Sequence, residues 1–122
     1  MIERYAFGQI TIDGQTYTSD VIIAPGQHNK FQVWDGWWRE EGHCLSIADL
    51  EKALARSDRA QPDVLLVGTG HSGRMKVPSE TREEIQRRGI ELHVLPTGQA
   101  WTLYNQLASG GRKVVAVFHL TC

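Results

Sequence analysis

The chain has little of several things that would settle its class at once. Its 122 residues include two cysteines and four prolines, and neither charge sign dominates, the formal balance being -1. Cys44 and Cys122 form no CxxC motif and no framework of paired spacings. That excludes a disulfide-stapled scaffold and leaves two reduced thiols as the expectation. The near-neutral balance argues against a dedicated nucleic-acid binder, which would carry a basic excess. No apolar run approaches the about 18 residues that a membrane-crossing helix needs, so no span is expected. The opening residues Met1-Ile2-Glu3-Arg4-Tyr5 lack the basic and then apolar regions of a secretory leader, and the cytoplasm is the expected compartment. His28, His43, His71, His93 and His119 show no HxxxH and no Cys/His ligand spacing. No metal is therefore expected, and no cofactor is implied.

What is present is an ordinary globular composition, 41% hydrophobic and 22% charged, of a length that fits one domain over residues 1–122. Gln9 to Ile12 alternates with period two, Asp13-Gly14 offers a type I′ turn, and Gln15 to Thr18 returns, which predicts a hairpin. Val21 to Ala24 reads as a strand ended by Pro25-Gly26, whereas Gln27 to His43 has no clear period. Ser46 with Asp49 three residues on predicts a capped helix whose Ile47, Leu50 and Leu54 share a face. Asp63 to Val67 is a continuous apolar run, as a strand covered on both faces requires. A second helix opens at Pro78-Ser79 and stops at Gly89, with Glu83–Arg87 and Glu84–Arg88 spaced for ion pairs. A strand at Glu91 to Leu95 follows. Thr97 is the expected cap of a third helix with a stripe of Ala100, Leu103, Tyr104 and Leu107, ended by Gly110-Gly111; Val114 to His119 is the last strand. This order predicts a three-layer α/β domain: a central mixed, mostly parallel sheet flanked by helices, with an N-terminal antiparallel hairpin and strand layer.

The segments Val64-Leu65-Leu66-Val67-Gly68-Thr69-Gly70, Lys76-Val77-Pro78 and Gly89 through Thr97 resemble the Mth-type domain of unknown function. So do Tyr104-Asn105, Phe118 through Cys122, Phe7-Gly8 and the Trp38-Arg39 to His43 region. That family includes the adipogenesis-associated Mth-domain protein and a mitochondrial complex I assembly factor. The resemblance implies a three-layer fold with a central mixed sheet, and it brings no catalytic residue with it. The cellular roles of the eukaryotic relatives do not transfer with the fold.

Gly68-Thr69-Gly70-His71-Ser72-Gly73 satisfies G-x-G-x-x-G directly after a strand. A dinucleotide site needs a helix starting inside that loop and an acid ending the next strand. Here Arg74 to Pro78 intervene, and Glu91 begins its strand, so NAD binding is not expected. A simpler anion site survives, built from loop amides with Arg74 and Lys76 as cations. Its bland rival is a tight connection with solvated charges. Trp34, Trp37 and Trp38 with Arg39 and His43 are the second concentration. Their bland reading is cover for the sheet, and their functional reading is a cleft wall or partner surface formed by Trp37, Trp38, Arg39 and His43. His119 and Cys122 point to opposite faces of a strand, and His71 beside Ser72 makes no triad. The leading expectation is a non-enzymatic ligand-binding or adaptor domain, with a small anion or a protein as partner. The alternative is an enzyme holding a small anionic substrate on Arg74 and Lys76, with His71 or His43 as general acid or base.

Overall fold

The computed structural model describes residues 1–26, 30–37, 44–57 and 61–121. In chain order the elements are β1 (Ile2–Ala6), β2 (Gln9–Ile12), β3 (Gln15–Tyr17), β4 (Val21–Pro25), β5 (Phe31–Asp35), α1 (Ile47–Leu54), β6 (Val64–Thr69), α2 (Ser79–Arg87), β7 (Glu91–Leu95), α3 (Thr97–Ser109) and β8 (Val114–His119). Strands β1, β2 and β3 form a small antiparallel sheet. The other five form a mixed sheet in the order β5-β4-β8-β6-β7. Parallel pairing joins β8, β6 and β7, while β4 runs against both β8 and β5. The α/β class and the added N-terminal layer are therefore as the sequence predicts.

Both faces of the large sheet are covered, which is why its central strands read as unbroken apolar runs. On β6, Leu65 and Val67 face α1 and α2, and on β8 Val115 and Val117 do the same. Val64, Leu66, Val114, Ala116 and Phe118 face α3 and the small sheet, which contributes Ile2, Ile10 and Ile12. Each such fully buried aliphatic side chain contributes about 1.5–3 kcal/mol, so the two clusters are what holds the layers together.

Local chemistry sets most boundaries. Asp13 and Gly14 have φ of 48° and 82°, the pair of positive values that the turn between β2 and β3 demands. At α1 the Asp49 amide donates to Ser46 Oγ at 3.2 Å and the Ser46 amide to Asp49 Oδ2 at 3.1 Å, a complete capping box. Two expectations need correction. The Glu83–Arg87 pair does not form; Glu84 takes both Arg87 and Arg88, the latter at 2.9 Å, because one carboxylate has two oxygens to offer. Thr97 is not a cap either. It is the first residue of α3, Pro96 holds the cap position, and no side chain caps that end. The strands β1 and β5 also lie where no strand was expected. Each is an edge strand with part of its length in solvent, so its pattern is diluted.

Tyr104 of α3 is 3% exposed and meets the edge of Phe118 at a ring separation of 6.4 Å. Burial, reinforced by the Asp13 charge, pushes its phenol from 10.0 up to about 12. A raised folded-state value means that this stabilisation is complete below about pH 10 and is lost as pH climbs toward 12. At about 1.4 kcal/mol per unit, roughly 2–3 kcal/mol should disappear across that window. Urea midpoints taken on both sides of it should diverge between the parent and Tyr104→Phe. Parallel alkaline losses in the two proteins would show that Tyr104 does not ionise with unfolding.

Candidate functional site

The Gly68–Gly73 loop leaves the carboxyl end of β6 between β7 and β8. The helix after β6 packs on one face of the sheet and the helix after β7 on the other, as Ile85 of α2 and Ala100 of α3 in opposite clusters make plain. A crevice between two such strands is where open α/β sheets bind ligands. Here Thr97 fills its floor. The Thr97 hydroxyl donates to the His119 carbonyl at 2.6 Å and accepts the Gly70 amide at 2.9 Å, while the Thr97 amide donates to the Gly70 carbonyl at 3.0 Å. Gly68 is required by this closeness: a Cβ there would sit 2.6 Å from Phe118 Cδ1 and 2.8 Å from Thr97 Oγ1.

The loop's amides are mostly engaged inside the protein. His71 N–H donates to the Thr121 carbonyl at 3.3 Å, Gly73 N–H to Gly70 at 3.2 Å and Met75 N–H to Thr69 at 3.0 Å. A nest using every amide from Gly68 to Gly73 is therefore not formed, because the same donors hold the loop to its neighbours. Among the described residues, only the exposed Ser72 and Arg74 amides at the outer turn lack a protein acceptor. Past the turn the chain alternates: Met75 and Val77 enter the core, and Arg74 and Lys76 point outward. Helix α2 starts only at Ser79, and Glu91 pairs with Val64 at the opposite end of β6. The helix amides and the acid that a dinucleotide site uses are both remote from these glycines.

Beside the loop lies a polar cluster that sequence reasoning missed. His119 Nδ1 is 2.8 Å from Asp20 Oδ2, with the two side chains 8% and 15% exposed. A carboxylate only accepts, so Nδ1 carries the proton. Asp20 Oδ1 also accepts the Leu120 amide at 2.9 Å, and the Asp20 carbonyl accepts the Trp37 amide at 3.1 Å. Tyr5 donates its hydroxyl proton to the Leu120 carbonyl at 3.0 Å, which leaves the Tyr5 hydroxyl oxygen to accept from His71 Nδ1, 3.2 Å away. Burial first, and then the Asp20 charge, hold the Tyr5 phenol above its ordinary range. Phe7, 61% exposed, meets the His71 ring edge-on at 5.4 Å.

With this geometry in view, the family model for proteins of unknown function (DUF498/DUF598) matches residues 2–119. The chain belongs to that family. The DUF498 domain superposes on a conserved hypothetical protein of Pyrococcus horikoshii at 29% identity and a TM-score of 0.77, covering 100% of this chain and 99% of that one. It is also similar to a Bordetella parapertussis protein, at 24% identity, TM-score 0.78 and coverage of 98% and 93%. A Bordetella pertussis Mth938-like domain matches at 22% identity and TM-score 0.74, covering 98% of this chain and 84% of that one. The last two carry the fold alone; together with the family match they bear out the Mth-type resemblance.

Two further expectations meet the DUF498 structure differently. Trp37, put forward as part of a cleft or partner surface, is 8% exposed and belongs to the apolar cluster under α1 and α2. Its ring covers the sheet, since so large an apolar area is costly in water. Trp38, Arg39 and His43 lie outside the described residues. Among the described residues, no group of three or more His, Cys, Asp or Glu side chains is placed to hold a metal ion, and no helix is long and apolar enough to cross a membrane.

Proposed function

We propose that this DUF498 domain is a non-enzymatic binding module that takes a small anion at the outer turn of the Gly68–Gly73 loop. The supporting observation is the conjunction at that turn. The Ser72 and Arg74 amides have no protein acceptor among the described residues, and the outward Arg74 and Lys76 side chains follow directly. Amides arranged in a turn and nearby cations favour phosphate or carboxylate groups. His71 sits at the same edge.

An amide NMR titration with inorganic phosphate tests the reading. Shifts should be largest at Ser72 and Arg74, saturate at millimolar concentration and weaken with salt, because exposed charges are screened over about 8–10 Å. Replacing Arg74 and Lys76 by alanine should weaken binding on the order of tenfold at nearly unchanged stability, since exposed substitutions usually cost under about 0.5 kcal/mol. Shifts centred elsewhere, or equal binding by the double variant, would leave the loop a connection only.

The second reading is an enzyme acting on a small anionic substrate held by Arg74 and Lys76. It rests on His71, whose imidazole is oriented by the Tyr5 hydroxyl at 3.2 Å beside those cations. Slow hydrolysis of an aryl phosphate that His71→Ala abolishes, with phosphate binding retained, would favour it over the binding module.

A further inference from the structure

At the opposite end of the sheet is a second concavity that the loop does not share. It is a cleft of about 490 Å³, bounded by Pro25, Phe31, Tyr104, Val114 and the basic residues Lys30, Arg112 and Lys113. The topology makes it. The end of β4 and the start of β5 form one wall, since Pro25 pairs with Phe31. The last turn of α3 and the segment leading into β8 form the other.

Three cations border this space, and among the described residues no acidic residue lines it. Arg112 is neutralised in part by Glu91 at 3.1 Å, beyond the cleft lining. Among the described residues, the Lys30 and Lys113 ammonium groups have no ion-pair partner. The carbonyl end of α3 favours nearby positive charge, yet a helix terminus is equivalent to only about half an elementary charge. It does not account for three cations. Tyr104 also lines the cleft; its ring is held by Phe118, and its hydroxyl donates to no acceptor among the described residues. Burial first, and then the Asp13 charge from outside the cleft lining, keep the phenol protonated, so it is available as a hydrogen-bond donor at neutral pH. Phe31, Val114 and Pro25 supply apolar walls, so the cleft combines a cationic rim with an apolar interior, and its volume falls in the range of small-molecule sites, about 300–1,000 Å³.

We infer that this cleft is a second ligand site, for an organic phosphate whose anionic head meets Lys30, Lys113 and Arg112 and whose apolar body lies against Phe31 with Tyr104 donating a hydrogen bond. It is independent of the loop reading, because the two sites lie at opposite ends of β8 and share no residue.

Phenyl phosphate is a suitable probe, with inorganic phosphate and phenol as its separated halves. Titrated into the full chain, phenyl phosphate should give saturable amide shifts centred on Phe31, Ala108 and Val114, at a lower concentration than either half. Lys30→Ala with Lys113→Ala should weaken that binding at least tenfold. Tyr104→Phe, which keeps the ring, should weaken it about threefold to tenfold, as expected for loss of one hydrogen bond to a charged group. Any of three results overturns the inference: no saturable shift at the cleft, undiminished binding by the lysine double variant, or inorganic phosphate binding there as well as phenyl phosphate. Lys30 is exposed and Lys113 half-buried, so the double variant should fold like the parent, and its unshifted spectrum elsewhere will establish that.

Discussion

Asp20→Ala is expected to be the most damaging single polar substitution among the contacts described. The carboxylate holds His119 Nδ1 at 2.8 Å and the Leu120 amide at 2.9 Å, joining the start of β4 to the end of β8. Removal strands two largely buried donors at about 1–3 kcal/mol each, so a loss of roughly 2–4 kcal/mol is expected. For a domain of this size that lowers Tm by on the order of 10 °C. Asp20→Asn keeps one oxygen for the Leu120 amide but turns an NH₂ group toward a nitrogen that already donates. It should recover part of the loss and no more. Urea unfolding of the three proteins measures both differences; a loss under about 0.5 kcal/mol for the alanine variant would mean that solvent replaces the carboxylate freely.

Gly68→Ala carries the next largest effect. The added Cβ would meet Phe118, which is fully buried, and Thr97 Oγ1, which is tied to His119 and Gly70. Neither neighbour is the free end of a flexible side chain, so the strain should lie toward the upper part of the about 1–3 kcal/mol typical of overpacking. Gly98→Ala is the natural comparison. It lies in the first turn of α3, where a Cβ would meet nothing within 4 Å and φ is not positive. It should be neutral or stabilise by up to about 1 kcal/mol through the helix preference for alanine over glycine. Chemical denaturation of the pair separates steric conflict from the general effect of losing a glycine. If Gly68→Ala is no less stable than Gly98→Ala, the close approach of β6, β8 and Thr97 relaxes at little cost.

The legible parts of this fold are those in which a short stretch carries its own instructions. Ser46 and Asp49 cap α1 from within four residues, and the Asp13-Gly14 turn fixes its hairpin by two dihedral angles. The apolar run of β6 announces burial on both faces. What escaped is long-range. Asp20 gains its role only when β8 is laid beside β4, which brings in His119 from 99 positions away. Thr97 looked like a cap because threonine before a helical stripe usually is one; its hydroxyl is instead drawn to a strand carbonyl and a loop amide supplied by two other segments. The glycine loop was visible in the sequence, yet the acceptors that occupy its amides, Thr97 and Thr121 among them, were not. Similarly, the cleft at the far end collects Lys30, Tyr104 and Lys113 from elements that show no relation in sequence.

The small sheet is tethered to the last third of the chain. Asn105 of α3 accepts the Ile2 amide at 2.9 Å and donates to the Ile2 carbonyl at 2.8 Å, acting as a substitute strand for the edge of β1. The Gly8 amide and the Tyr5 hydroxyl likewise both reach the Leu120 carbonyl. On the ribosome, β1 to β3 emerge first and their partners emerge about a hundred residues later, an interval of roughly 5–20 s at ordinary elongation rates. Throughout that interval Ile2, Ile10 and Ile12 lack the part of their cluster that α3 and β8 supply, namely Ala100, Tyr104, Val114, Ala116 and Phe118. The small sheet, made before α3 and β8, thus completes its docking only after both of them, and part of its apolar face waits uncovered until then.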